Sequence, residues 1–297
     1  MIEKIQELKK KHNAVILGHN YQLPEIQDIA DYTGDSLELS KIAARTDADM
    51  IVFCGVHFMA ETAKILSPKK TVLIPDKNAG CPMANMINVE ELRDFKNQHP
   101  GVPVVAYVNT SADIKAEVDI CCTSGNAINV VRNMDSDKVL FVPDKSLGSY
   151  VAKMVPEKEV ICWQGFCPTH HRILAVDVVK AKREHPNALV VSHPECNFDV
   201  VALSDIVDST SGMIRRINES SEKEFIICTE RGLIHQFQKS NPDKVFYNPS
   251  PLNICPNMKK ITLEKLLWCL EDLKYEITLS DDIIARSRNA MEKMIAN

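Results

Sequence analysis

An α/β protein made of one module used three times is what this chain of 297 residues predicts. Three observations lead there. Cys-Pro pairs recur at Cys81-Pro82, Cys167-Pro168 and Cys255-Pro256, 86 and 88 residues apart. With ten Cys and fifteen Pro in the chain, only about half such a pair is expected by chance. Other residues recur at the same steps: His19, Tyr107 and His193 at the ends of apolar runs; Ser36, Ser124 and Thr210; and Cys54, Val142 and Cys228. Short apolar runs also alternate with helical segments, the pattern of parallel sheets covered on both faces. A period that survives at four places in the unit marks an internal repeat.

The elements follow in order. Residues 2–11 read as an amphipathic helix. In the first module a buried strand (Ala14 to Gly18) leads to helical segments over Pro24–Tyr32 and Ser36–Ala44. A strand at Met50–Cys54, a helix at Phe58–Leu66 and a strand at Thr71–Ile74 come next, then the Cys-Pro loop and a closing helix from Val89. Asn88 followed three residues later by Glu91 is a capping-box signature. The continuous runs at 104–108 and 188–191 suit buried strands. The predicted divisions are 1–98, 99–185 and 186–273, with a strand-helix tail over 274–297 packing on the first module. No low-complexity linker separates them, so close packing between modules is expected.

Composition excludes several functions. A formal net charge of -5 with only short lysine pairs leaves no basic stripe for nucleic acid. No run approaches the ~20 apolar residues of a membrane span, and no signal-peptide core is present, so neither a membrane nor nucleic acid is an expected partner and a cytoplasmic location is expected. In a reducing compartment ten cysteines point to burial or metal binding rather than to disulfides. No GxGxxG or P-loop string occurs, so dinucleotide binding would rest on fold analogy alone.

In open α/β sheets ligands gather at the carboxyl ends of strands, where helix N-termini favour anions. There the repeated polar residues fall, and three such edges around one axis would bring one cysteine from each module to a common point. The plainest explanation of the repeated Cys-Pro is a structural turn copied with the module. The flanks diverge while the cysteine persists, which favours a metal. Three thiolates with His170 would make a tetrahedral zinc site, whereas lone cysteines from distant loops suit a 4Fe-4S cluster with one iron left without a protein ligand. Taken singly, His19, His170, His171 and His193 read as core histidines. The equivalent positions of His19 and His193, beside Asn20 and Glu195, make them site candidates. Glu195 reads equally as an ion-paired carboxylate, and Tyr21 as a proton donor or a packing residue. Cys121, Cys122, Cys196 and Cys228 read as buried thiols.

Several strings in order are carried by one chain: His19-Asn-Tyr21, Gly34-Asp-Ser36, Cys81-Pro-Met-Ala, Tyr107-Val-Asn109, Thr123-Ser124, Cys167-Pro-Thr-His170, His193-Pro-Glu195-Cys196, Asp208-Ser209-Thr210, Thr229-Glu-Arg-Gly and Asn257-Met-Lys-Lys. With them the chain resembles, over essentially its whole length, the quinolinate synthase family of NAD biosynthesis. The resemblance implies three homologous α/β/α domains around a central site and a 4Fe-4S cluster on Cys81, Cys167 and Cys255. It implies condensation of iminoaspartate with dihydroxyacetone phosphate to quinolinate, with the open iron as Lewis acid. An aspartate oxidase or dehydrogenase would be the metabolic supplier. It assigns substrate binding to His19, Ser36, Tyr107, Asn109, Ser124, His193, Glu195, Ser209 and Thr210, and catalysis to Tyr21, Glu195 and His193. The alternative left open is a related 4Fe-4S hydro-lyase on another small diacid. His171 doubles the expected histidine, so the choice of His170 rests on its spacing from Cys167.

Overall fold

The computed structural model describes residues 1–296. It contains three four-stranded sheets, parallel throughout. The first holds β1 (Ala14–His19), β2 (Tyr32–Gly34), β3 (Met50–Cys54) and β4 (Thr71–Leu73). The second holds β5 (Val104–Tyr107), β6 (Ile120–Cys122), β7 (Lys138–Val142) and β8 (Glu159–Cys162). The third holds β9 (Leu189–Ser192), β10 (Ile206–Val207), β11 (Glu224–Cys228) and β12 (Val245–Tyr247). Their orders, β2-β1-β3-β4, β6-β5-β7-β8 and β10-β9-β11-β12, are one pattern three times. In each, the chain leaves the first strand toward one edge and returns to its other side. That reversal opens a crevice at the carboxyl ends, where ligands settle in such folds.

The strands form where expected because their runs are buried: all of Met50–Cys54, and Val15 to His19 in β1. The second strand of each sheet differs from expectation. The helix expected over Pro24–Tyr32 ends at Ile29, and Tyr32–Gly34 pairs with β1. The cause is local. Ala30 turns extended at φ -63°, ψ 142°, and Asp31 Oδ2 accepts the Ile16 N–H at 2.8 Å. Asp119 holds the Val104 N–H (2.7 Å) and Asp205 the Val190 N–H (2.8 Å) in the same way. This aspartate recurs at the repeat steps and ties each short strand to the first.

Helix caps place several site loops. Asp35 caps Ser36–Arg45, accepting from the Leu37 and Glu38 N–H groups, and Ser209 caps Thr210–Glu219. The capping box of Asn88 with Glu91 closes at 2.9 and 2.8 Å, as its sequence indicates. The tail strand is reduced to one antiparallel bridge, Leu73 with Glu276. The last helix, Asp281–Ala296, packs on His57–Leu66 and also on β6 and Ala112–Lys115, so it spans the first two sheets. No described helix is long and apolar enough to cross a membrane.

Candidate active site

The three sheets turn their carboxyl ends toward one cavity of about 150 Å³. Its wall carries Cys81, Cys167 and Cys255, together with His19, Tyr21, Ser36, Tyr107, Asn109, Ser124, His193, Glu195 and Thr210. Of the residues expected to bind substrate, only Ser209 is missing from that wall. Its hydroxyl accepts the Gly212 N–H at 3.2 Å and faces Asp35 Oδ2 at 3.4 Å, so it caps a helix and joins two modules. His170 lines the cavity, while His171 points elsewhere, with Nε2 2.8 Å from Ser146 Oγ and its ring stacked on Phe166.

The Cys-Pro turns explain why each cysteine is presented alike. Each proline starts a tight turn whose following backbone N–H groups point back toward the sulfur. Cys81 accepts backbone N–H groups from Ala84 and Met83, Cys167 from His170, and Cys255 from Met258 and Asn257. Burial pushes all three thiols up, Cys81 to about 12, against those donors. All ten cysteines are free, and Cys121, Cys122, Cys196 and Cys228 are buried thiols as expected. Backbone donors aimed at sulfur favour the thiolate, and metal ligation deprotonates a thiol outright. The donor set therefore fits a metal or iron-sulfur group. Tetrahedral zinc would hold sulfurs about 3.8 Å apart. Among the described residues the compact set within 4.8 Å is instead Cys167, His170 and Glu195, not the three thiols.

The acid-base residues form one network. Glu195 is 3% exposed. Its Oε1 accepts the Tyr107 hydroxyl at 2.5 Å, and its Oε2 lies 2.7 Å from His170 Nδ1. Burial alone would raise this carboxyl, but His170 and His193 nearby and the hydrogen bonds from His170 and Tyr107 more than offset it, holding it well below the usual glutamate value. Glu195 is thus a carboxylate. Burial takes His19 and His193 down to about 3, so both are neutral imidazoles. The same backbone contact fixes their tautomer: the Tyr21 N–H donates to His19 Nδ1 (3.1 Å) and the Glu195 N–H to His193 Nδ1 (3.3 Å). Each then carries its proton on Nε2, and in His193 that N–H reaches Ser124 Oγ at 3.1 Å. The repeat is therefore visible in hydrogen bonding as well as in topology.

The Tyr21 hydroxyl lies 2.7 Å from Thr229 Oγ1 and 3.4 Å from His170 Nε2. Burial and the charge of Glu195 hold its phenol well above the ordinary tyrosine value, so it keeps its proton. The Asn109 amide oxygen is buried without a partner among the described residues, an acceptor left for a ligand donor. The arrangement offers proton donors, one carboxylate base, hydroxyls for anions and a thiol triad. Thr229, Glu230 and Lys259 lie in two of the strings that carry the resemblance but have no role assigned there, and Arg172 lies in none. Thr229 and Glu230 directly follow Cys228, the end of β11 and a repeat position, which was the signal available.

Fold and site together define an enzyme of three α/β modules whose cysteine-bearing cavity fits a metal or iron-sulfur group. The family model described as NadA, quinolinate synthetase A protein, matches residues 3–296. The quinolinate synthase of Thermodesulfovibrio yellowstonii is 53% identical over 99% of this chain and 97% of its own length. Quinolinate synthase 1 of Methanosarcina acetivorans is 54% identical over 100% of this chain and 97% of its own length. The quinolinate synthase of Alkaliphilus metalliredigens is 54% identical, covering 99% and 97%. The chain belongs to the quinolinate synthetase A family.

Proposed function

We propose that this chain condenses iminoaspartate with dihydroxyacetone phosphate to give quinolinate, phosphate and two waters, with a 4Fe-4S cluster on Cys81, Cys167 and Cys255. The modules 1–98, 99–185 and 186–273 each supply one cluster ligand and one edge of the substrate cavity. The observation that carries this is the convergence of three repeat-equivalent cysteines on a cavity that also holds the Tyr21, His170 and Glu195 network. When bound, a cluster with three protein ligands supplies an iron free to act as a Lewis acid on substrate oxygen.

The residues divide the remaining work. The hydroxyls of Ser36, Ser124 and Thr210 and the Nε2–H groups of His19 and His193 bind carboxylate and phosphate oxygens. Asn109 accepts a substrate N–H or O–H. Glu195 takes protons during isomerisation and ring closure, and Tyr107 and His170 hold its carboxylate in place. Tyr21 donates a proton to a leaving oxygen, and Thr229 keeps its hydroxyl oriented. His193 serves beside Glu195, its proton fixed on the nitrogen facing Ser124. Iminoaspartate hydrolyses in water, so an aspartate oxidase or dehydrogenase supplies it.

The test uses dihydroxyacetone phosphate labelled with ¹³C at all three carbons, freshly generated iminoaspartate and anaerobically reconstituted protein. Quinolinate carrying the three labels with one phosphate released per product is expected. A product without the label, or turnover of another diacid indifferent to the triose phosphate, overturns the assignment.

A further inference from the structure

The Thr229–Gly232 turn at the end of β11 grips the loop after β1 by more than the Tyr21 hydroxyl. Glu230 is fully buried. Lys259 Nζ lies 3.0 Å from its Oε1 and 3.1 Å from its Oε2. The same ammonium donates to the Tyr21 carbonyl and, at 3.5 Å, to the Gln22 carbonyl. The carboxylate also accepts the Cys255 N–H at 3.1 Å and the Gly232 N–H at 2.7 Å. From the other side Gln27 Nε2 donates to the carbonyls of Asn20, Gln22 and Gly232 at 3.1, 2.8 and 3.0 Å. A Cβ at position 232 would stand 2.6 Å from Lys259 Nζ, 2.7 Å from Glu230 Oε2 and 3.0 Å from the Gln22 carbonyl oxygen, so a side chain there would displace the ion pair.

Both oxygens of Glu230 are taken by N–H donors, so it has no lone position for a substrate proton although it borders the cavity. A buried ion pair is costly to keep unless each member is fully hydrogen-bonded, and this one is. Resting on the function proposed above, we propose that Glu230 and Lys259 are positioning residues: a clasp that fixes the Tyr21 proton donor of the first module relative to the Cys255 thiol of the third. One carboxylate sets both ends. It holds the Cys255 backbone directly and the Tyr21 backbone through the ammonium, while the neighbouring Thr229 holds the Tyr21 hydroxyl.

The test compares wild type, Lys259→Met, Glu230→Gln, the double variant and Lys259→Arg, all reconstituted anaerobically. It reads kcat, KM for both substrates and the low-temperature EPR spectrum of the reduced cluster. A misplaced donor is expected to lower kcat about 100-fold in each single variant, with KM within about threefold because binding groups are untouched. The double variant is expected to lose no more than the worse single, since the pair acts as a unit, and the g-values shift in all three. Lys259→Arg keeps the charge and is expected to regain about tenfold in kcat over Lys259→Met. Should Lys259→Met not fold, Glu230→Gln and Lys259→Arg against wild type carry the comparison. Single variants within threefold of wild type, a double variant losing the product of the two singles, or an unshifted EPR spectrum overturns the clasp. Failure of the wild type to make quinolinate overturns the proposed function instead, and the EPR comparison then still decides for or against the clasp.

Discussion

Replacing Tyr21 by Phe separates a proton donor from a packing residue. The ring keeps its shape and its edge-on contact with His19, at 4.7 Å between centroids. The lost group is the hydroxyl, 2.7 Å from Thr229 Oγ1. Thr229 retains His170 Nε2 at 2.9 Å, so the static cost is one ordinary hydrogen bond, about 1 kcal/mol. Loss of a general acid costs about 10²–10⁴ in rate, which is about 2.7–5.5 kcal/mol in the transition state. The kinetic loss should thus exceed the static one severalfold. The assay is steady-state quinolinate formation on cluster-loaded Tyr21→Phe, giving kcat and KM for both substrates, with thermal unfolding measured alongside. A kcat reduced at least about 100-fold with near-normal KM and folding is expected. Because burial holds the phenol above its ordinary value, wild-type kcat should also lack a basic limb from this group up to pH ~10. A Tyr21→Phe kcat within about fivefold of wild type would make Tyr21 a packing residue, because no positioned proton donor is so dispensable.

Ser209→Ala should behave as a cap loss rather than a binding loss, lowering stability by about 1 kcal/mol while KM for dihydroxyacetone phosphate stays unchanged; calorimetry and steady-state kinetics check both, and a tenfold rise in KM would put its hydroxyl on the substrate. His19 and His193 are held near 3 by burial, so the unfolded chain binds protons that the folded chain does not as pH falls below ~6.5. Their stabilisation is complete above that value and declines on acidification toward pH 3, by up to about 1.4 kcal/mol per pH unit for each histidine. Denaturant midpoints falling from pH 7 to pH 5, more steeply in wild type than in His19→Asn, are expected. Asp76 accepts from Lys265 at 2.5 Å. Partial burial raises its carboxyl, but Lys265 and the Asn78 N–H outweigh this and leave it below the ordinary aspartate value. Asp76→Asn should therefore cost under about 1 kcal/mol at pH 7, a difference that shrinks as pH falls through the native carboxyl's titration, as urea unfolding over a descending series of pH values would show.

Much of this molecule was legible in the chain because it is written three times. The Cys-Pro period located the thiol triad, and the polar residues closing the first strands located the cavity wall. What escaped was short or depended on partners far away. The strands Tyr32–Gly34, Ile120–Cys122 and Ile206–Val207 are too brief for alternation to register. Their real signal was the repeated aspartate at 31, 119 and 205, which the hydrophobic pattern ignores. Ser209 stood among the substrate-binding residues only through the family resemblance; in the fold its hydroxyl accepts the Gly212 N–H and faces Asp35 of another module, a contact that no local pattern encodes. The choice between His170 and His171 could be made by spacing because one helical turn after Cys167 faces the cavity and the next residue faces Ser146. Glu230 and Lys259 are 29 residues apart and meet Tyr21 across a module interface, a relation no local pattern encodes.

The most direct measurement is quinolinate formed per chain, with iron content and visible absorption, for anaerobically reconstituted wild type beside Cys81→Ala, Cys167→Ala and Cys255→Ala. Product and a loaded cluster are expected in wild type, and loss of both in each variant. Quinolinate formation that survives removal of any one of the three thiols would contradict a cluster held by all three.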